Sequence, residues 1–230
     1  MGRWHENSYF LDNSNIFGDA QRAARNIEKV LTWHCVRVDY RNLFRVLRYG
    51  KVDQGTSLLE GSVPPGNEAL WDAAREAGFD TTLLRRVSTD TGRLAEQGVD
   101  ESIYLRISNL ILDEETPGTI VIATGDGAQT EQGCSFTDQV VRAAKRRWNV
   151  EVWSWQSQLS PRLRDTRIRF PEQVKILKLD EWYRSIIFIK GGTYVVDGES
   201  VEIPSRSCSG LNLTQSQFKA ANLEPTNWRL

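Results

Sequence analysis

The stretch Gly118–Thr124 (GTIVIAT) is an unbroken apolar run set between Pro117 and Gly125-Asp126-Gly127. A run this short, with no polar alternation, is the pattern of a strand buried on both faces. Such strands belong to parallel sheets covered by helices on each side. Along the rest of the chain short β-rich runs alternate with helical patterns, the signature of βαβ units and an α/β fold. Further strands are expected at Ser8–Leu11, Thr56–Leu59, Thr81–Val87 and Val150–Trp155. Two helices are expected within residues 19–49, broken near His34–Val38. A third covers Asn67–Ala77, with Asn67 as N-cap and Gly78 as stop. Residues 100–112 put Ile103, Ile107, Leu110 and Ile111 on one helical stripe, and Phe136–Trp148 is the next helix. Ser160–Arg169 reads as a basic loop and residues 174–203 as more strands turning at Gly191-Gly192. The C-terminal end reads as a polar, loosely ordered tail.

Composition narrows the function classes. The 230 residues carry 29 Lys plus Arg against 30 Asp plus Glu, a formal charge of −1, with 40% apolar residues. These are globular proportions that exclude long disordered or collagen-like character. With only His5 and His34, a His-rich metal site or a Ser-His-Asp triad has no material. Cys35, Cys134 and Cys208 are odd in number, widely spaced and without a C-x-x-C, so a reducing compartment is expected. No apolar run approaches the ~20 residues of a membrane span. The N-terminal end has no apolar leader, and Glu6 stands where a myristoylation signal needs Ser or Thr. A cytoplasmic protein, or a nuclear one, is the expectation.

The acids are placed by topology. In an open parallel sheet, ligands bind at the carboxyl ends of the strands, where the strand order reverses. Asp12 lies just past the first strand, and Asp126 just past the buried run. Asp100 opens a helix leading away from the same rim. If the strands before Asp12 and Asp126 are neighbours, three carboxylates converge. Like charges gathered in this way call for a cation between them. Mg²⁺ or Mn²⁺ held by carboxylates is the usual arrangement for phosphoryl chemistry. Each acid also has a plain structural reading: Asp12 and Asp126 as turn formers, Asp100 as a helix-dipole residue.

Asp12-x-x-Asn15 after the first strand, Gly98-Val99-Asp100 opening a helix, and Thr124-Gly125-Asp126-Gly127 after a buried strand together resemble the NYN domain, a family of the PIN-like nuclease superfamily. The resemblance covers about residues 8–157. It implies a PIN-like three-layer α/β/α sandwich with the first and fourth strands central and adjacent. It also implies Mg²⁺- or Mn²⁺-dependent cleavage of RNA phosphodiesters, with Asp12, Asp100 and Asp126 as the catalytic, metal-binding acids. Asn15 is then the amide that supports the first carboxylate or touches phosphate, and Thr124 a small hydroxyl residue before Gly-Asp. Two positions depart from the pattern. Ala128, followed by Gln129, stands where the family often has a second acid and Phe, and Gln97 where a Lys is common. Asp138 could compensate as a supporting acid, although Ser135-x-x-Asp138 also matches a capping box; Glu131 is a weaker candidate.

Charge is uneven along the chain. Residues 141–170 hold eight Lys or Arg and two acids. Arg162, Arg164 and Arg167 follow the Val150–Trp155 strand and are candidates for phosphate contact, with Trp155 as a stacking face for an unpaired base. Arg85 and Arg86 end the third strand near the same rim. The expected division is a nuclease domain over residues 1–170 and a small β-containing C-terminal extension over 171–230 that packs on it. The expected partner is RNA, most naturally single-stranded, with no membrane; a protein partner or a homo-oligomer is left open. The alternative is an RNA-binding or interaction module that keeps the fold with weak or no catalysis. HAD-type phosphatase chemistry fails because Ser14 stands where a second Asp is needed. Dinucleotide binding fails because no G-x-G-x-x-G follows the first strand.

Overall fold

A computed structural model of the chain describes residues 7–51, 54–62, 68–84, 87–88, 94–95, 99–127 and 134–224. Strand β1 (Asn7–Asp12) runs directly into helix α1 (Asn13–Glu28). The helix starts six residues earlier than its apolar periodicity announces, because Asp12 caps it: its side chain accepts from the Asn15 backbone N–H. Ile16, Ala20, Ala23 and Ala24 line the buried face, and the helix ends at Lys29 in the left-handed region (φ 57°). After a 3₁₀ turn at Trp33–Cys35 come the short strand β2 (Val36–Val38) and helix α2 (Tyr40–Arg48). So the break expected near His34–Val38 contains a strand. Next are β3 (Gln54–Ser62), α3 (Glu68–Glu76) and β4 (Asp80–Leu84). Gly78 ends the α3 segment at φ +79°, a conformation that favours glycine. A two-residue hairpin, β5 (Val87–Ser88) with β6 (Leu94–Ala95), occupies part of the stretch read as loop.

Helix α4 (Val99–Asp113) leads to β7 (Thr119–Ala123), the uninterrupted apolar run. Helix α5 (Phe136–Lys145), β8 (Asn149–Ser154), α6 (Pro161–Arg169) and β9 (Val174–Lys178) complete the layered unit. Helix α6 corrects the expected basic loop. Pro161 sits at the helix start, where its missing N–H costs nothing. Only Leu163 and Thr166 turn inward, so the apolar signal is swamped by arginines. The expectations at Asn67, Arg85, Arg86, Gln97, Ala128, Gln129 and Glu131 lie outside the described residues.

The central sheet has the order β4-β3-β1-β7-β8-β9, every pair parallel. β1 and β7 are therefore adjacent and central, and the strand order reverses between them. Along β1 the side chains alternate between two cores. Tyr9 and Leu11 pack with α1, α2 and the C-terminal segments; Phe10 packs with Ile103, Ile107 and Ile111 of α4 and Val140 of α5. The result is a three-layer α/β/α sandwich. β9, beyond the 170/171 division, is the sixth strand of the same sheet.

The C-terminal part then wraps the α1 side. Helix α7 (Tyr183–Ile186) feeds β10 (Ile187–Ile189), which pairs antiparallel with β2. β11 (Gly192–Val196) and β12 (Glu199–Ile203) form a hairpin whose turn is Asp197-Gly198, both at positive φ, and not Gly191-Gly192. The tail reading is corrected by helix α8 (Gln215–Ala221), held by a Thr214–Gln217 capping box. Phe218 of α8 packs against Trp153 and Trp182, with ring centroids 5.7 and 4.7 Å away. Among the described residues no helix is long and apolar enough to cross a membrane.

Glu28, at the carboxyl end of α1, ties this wrap together. It accepts from Arg206 through both oxygens (2.7 and 2.9 Å), from Tyr183 Oη (2.7 Å) and from Arg184 (2.8 Å). Burial works to raise the Glu28 pKa, but the hydrogen bonds from Arg206 and Tyr183 and the arginine charges outweigh it, and the pKa is lowered. Arg206→Ala should cost about 2 kcal/mol in urea unfolding at pH 7. The loss should shrink as pH falls through the carboxylate range, because the stabilisation requires Glu28 ionised. An unchanged midpoint would show that the clamp contributes nothing.

Candidate functional site

Asp12 ends β1 with only 1% of its surface exposed, so its carboxylate is fixed by its neighbours. Asn15 holds both oxygens: its backbone N–H donates to Oδ1 at 3.1 Å and its side-chain amide donates to Oδ2. The Thr124 hydroxyl, fully buried, points at the same Oδ2 from 3.5 Å. Thr124 also accepts from the Asp126 backbone N–H at 3.2 Å. One hydroxyl thus couples the end of β1 to the turn after β7, at the point where the strand order reverses.

Asp100 and Glu101 lie in the first turn of α4. One turn further, Tyr104 is 4% exposed. Burial raises the pKa of its phenol first, and the negative charges of Asp100, Asp126, Asp12 and Glu101 raise it further. Tyr104 thus lies within the electrostatic reach of acids from three segments.

Two more carboxyls belong to this rim that the sequence reading did not single out. Glu60 on β3 is the Cα partner of Asp12 and is fully buried. Ser102 Oγ donates to its Oε1 at 2.6 Å, while Oε2 has no hydrogen-bond partner among the described residues. Burial pushes its pKa up to about 7, with Ser102 and Arg106 opposing and Asp80 and Asp100 adding. Asp19 on α1 is 4% exposed and paired with Arg22 at 2.8 Å. Burial pushes it up to about 6 against the pull of Arg22, and Asp126 adds to the rise. The signal for Glu60 was a lone acid inside Leu58-Leu59-Glu60-Gly61, on the strand that neighbours β1.

The two raised carboxyls set a pH dependence. Between the ordinary carboxyl pKa and about 6–7 the native state binds more protons than the unfolded chain. Stability must then fall as pH rises across that window. Urea unfolding should show the protein more stable at pH 5.5 than at pH 8, with Glu60 contributing on the order of 2 kcal/mol. Stability that climbs between those pH values would contradict the buried-acid geometry.

The other expected residues are placed differently. Asp138 accepts from Ser135 Oγ at 2.7 Å, and its N–H donates back to that hydroxyl at 3.1 Å, so it partners Ser135, the N-cap of α5. Trp155 is 1% exposed, donates its indole N–H to Ile16 O (3.2 Å) and packs edge-on against Tyr183. It offers no face to a base, which corrects the stacking expectation. Its position directly after β8 drives it under α1 instead of onto the rim. Arg167 is paired with Glu224 at 3.1 Å and also bonded to Pro171 O. Arg162 is exposed on the first turn of α6, and Arg164 is half-buried. Among the described residues no group of three carboxyl, imidazole or thiol side chains is arranged to hold a metal ion.

No protein-family model matches the chain, and no curated protein matches it. Among solved structures, a protein of unknown function from Vibrio parahaemolyticus RIMD 2210633 aligns with a TM-score of 0.55 at 16% identity. The match covers 78% of this chain and 98% of that one. The likeness is one of fold. A putative PLP-bound aminotransferase from Clostridium difficile 630 aligns at a TM-score of 0.28 and 7% identity, over 72% of this chain and 43% of its own. That similarity is too remote to bear on fold or chemistry.

Proposed function

We propose that the chain is a metal-dependent ribonuclease that hydrolyses RNA phosphodiester bonds where β1 and β7 end, acting in the cytoplasm or nucleus. The observation that supports this reading is that Asp12 and Asp126, joined through the Thr124 hydroxyl, end adjacent central strands where the strand order reverses, with Asp100 in the first turn of α4. An all-oxygen donor set is what a hard divalent ion such as Mg²⁺ or Mn²⁺ takes, and the three carboxylates would have to draw together to hold it, since among the described residues no group of three is arranged around an ion. Asp12, Asp100 and Asp126 would hold the ion. When bound, it would supply a water of lowered pKa and positive charge for the phosphate oxygens.

The chain's own residues do the rest. Asn15 and Thr124 keep the Asp12 carboxylate aimed along one direction. The Thr124 hydroxyl, by accepting the Asp126 N–H, sets the start of the turn that carries Asp126. Arg162, exposed on the first turn of α6, would meet RNA phosphates, and Arg22, exposed beside Asp19, would be a second cation for them. The resemblance to the NYN domain supports RNA, single-stranded, as substrate.

A second reading is an RNA-binding or partner-binding module of the same fold. The absence, among the described residues, of a three-acid metal cage favours it, as does Ala128 in place of an acid. Labelled single-stranded RNA incubated with Mn²⁺ or with EDTA separates the two. Cleavage in Mn²⁺ that stops in EDTA is expected; retention of RNA with no metal-dependent cleavage would favour the module.

A further inference from the structure

We infer that the cleft between α1 and the β11–β12 turn is a nucleotide subsite, in which an unpaired RNA base stacks on Trp33 and the adjoining phosphate meets Arg25. This rests on the RNA reading given above, but on no metal. The cleft has a volume of about 460 Å³, within the roughly 300–1,000 Å³ of small-ligand sites. Gly18, Gln21, Arg22 and Arg25 come from one face of α1 and form one wall. The 3₁₀ turn with Trp33 and the hairpin turn with Asp197 form the others. Trp33 is 57% exposed, whereas Trp71, Trp148, Trp153, Trp155 and Trp182 are all buried. Its ring is nonetheless held in place. It stacks on His34 with centroids 3.7 Å apart, and His34 Nδ1 is hydrogen-bonded to Thr32 Oγ1 at 3.0 Å.

An aromatic face beside guanidinium groups is the pairing that single strands use, the ring for the base and the cation for the phosphate. Arg25 is exposed and, among the described residues, has no ion-pair partner. Asp197, which also lines the cleft, is an acceptor for a base amino group. Gly18 adds an independent point. It lies inside α1, where glycine weakens a helix relative to alanine. A Cβ there would meet nothing within 4 Å, so no neighbour requires the glycine. A bare helix face in the cleft is what a closely approaching ligand needs. Arg22 joins the cleft to the rim. It holds Asp19 at 2.8 Å and donates to Gln158 Oε1 at 3.3 Å, and Asp19 lies against Gly125 in the turn that carries Asp126. A strand crossing that turn would meet Arg22, then Arg25, and then the Trp33 ring.

The test is fluorescence anisotropy of a fluorescein-labelled single-stranded RNA with the full chain in EDTA, so that neither metal nor cleavage enters. Trp33→Ala should weaken binding about 5–150-fold, the loss from removing one base–aromatic stack. Trp33→Phe keeps a ring face and should stay within a few fold of wild type. Arg25→Gln should lower the slope of log affinity against log salt by about 0.7, the value for one phosphate contact on a single strand. Thermal midpoints should match wild type, because both side chains are exposed. Equal affinity for wild type and Trp33→Ala would overturn the subsite while leaving the RNA reading standing, and so would a loss in Trp33→Phe as large as that in Trp33→Ala. No RNA binding by wild type would overturn both. Should Trp33→Ala fail to fold, Gly18→Leu carries the comparison by filling the bare face of α1, with weakened binding expected and unchanged binding counting against the subsite.

Discussion

Asp12→Asn and Asp126→Asn should each lower Mn²⁺-dependent RNA cleavage by at least about 100-fold, the scale of losing one preorganised charge-stabilising group. The fold should survive both changes. Asn caps a helix about as well as Asp, so α1 keeps its start at Asn13. Asp126 is only partly buried, and its backbone N–H, the part bonded to Thr124, is untouched by the substitution. Thermal midpoints within a few degrees of wild type would therefore accompany the loss. Asp138→Asn is the internal control. Its carboxylate is taken by Ser135, so cleavage should stay within about twofold while stability drops by roughly 0.5–1 kcal/mol. Cleavage persisting in both Asp12→Asn and Asp126→Asn would mark a contaminating nuclease and remove the claim.

Gly125→Ala should damage the rim through a single added methyl group. A Cβ there would lie 2.6 Å from Asp19 Oδ2 and 3.0 Å from both Gln158 O and Ser154 Oγ. Backbone and fixed polar atoms surround it, and Ser160 N already donates to Gly125 O at 3.0 Å, so the turn cannot swing outward freely. Overpacking of this kind costs about 1–3 kcal/mol. The turn that must shift is the one carrying Asp126, so cleavage should fall further than the stability loss explains. Urea unfolding and a cleavage assay on the same preparation measure both. A Gly125→Ala variant with wild-type stability would show that the turn is not confined by Asp19.

What was legible in the sequence was what repeats at short range. The uninterrupted TIVIA run identified β7, and Asp12 and Asp126 followed from their places at strand ends. Helix α6 was hidden because only Leu163 and Thr166 face the core, too few for a periodic signal against four arginines. Gly191-Gly192 is the more conspicuous turn signal in the sequence, yet the β11–β12 hairpin turns at Asp197-Gly198, the dipeptide whose positive φ angles it uses. Helix α8 was hidden by a polar outer face; Ala221 and Leu223 are buried by tertiary contacts that no local pattern reveals. Trp155 and Glu60 were missed for one shared reason. Whether a residue at a strand end faces the rim or the core depends on which strands are neighbours, and pairing is long-range.

Asp12, Asp100 and Asp126 are proposed to bind a divalent ion at the β1–β7 switch point. Anomalous diffraction from crystals grown with Mn²⁺ tests it most directly. A peak in contact with the carboxylates of Asp12 and Asp126 is the predicted result. A map with no peak on this rim, from crystals in which the rim is open to solvent, would contradict it.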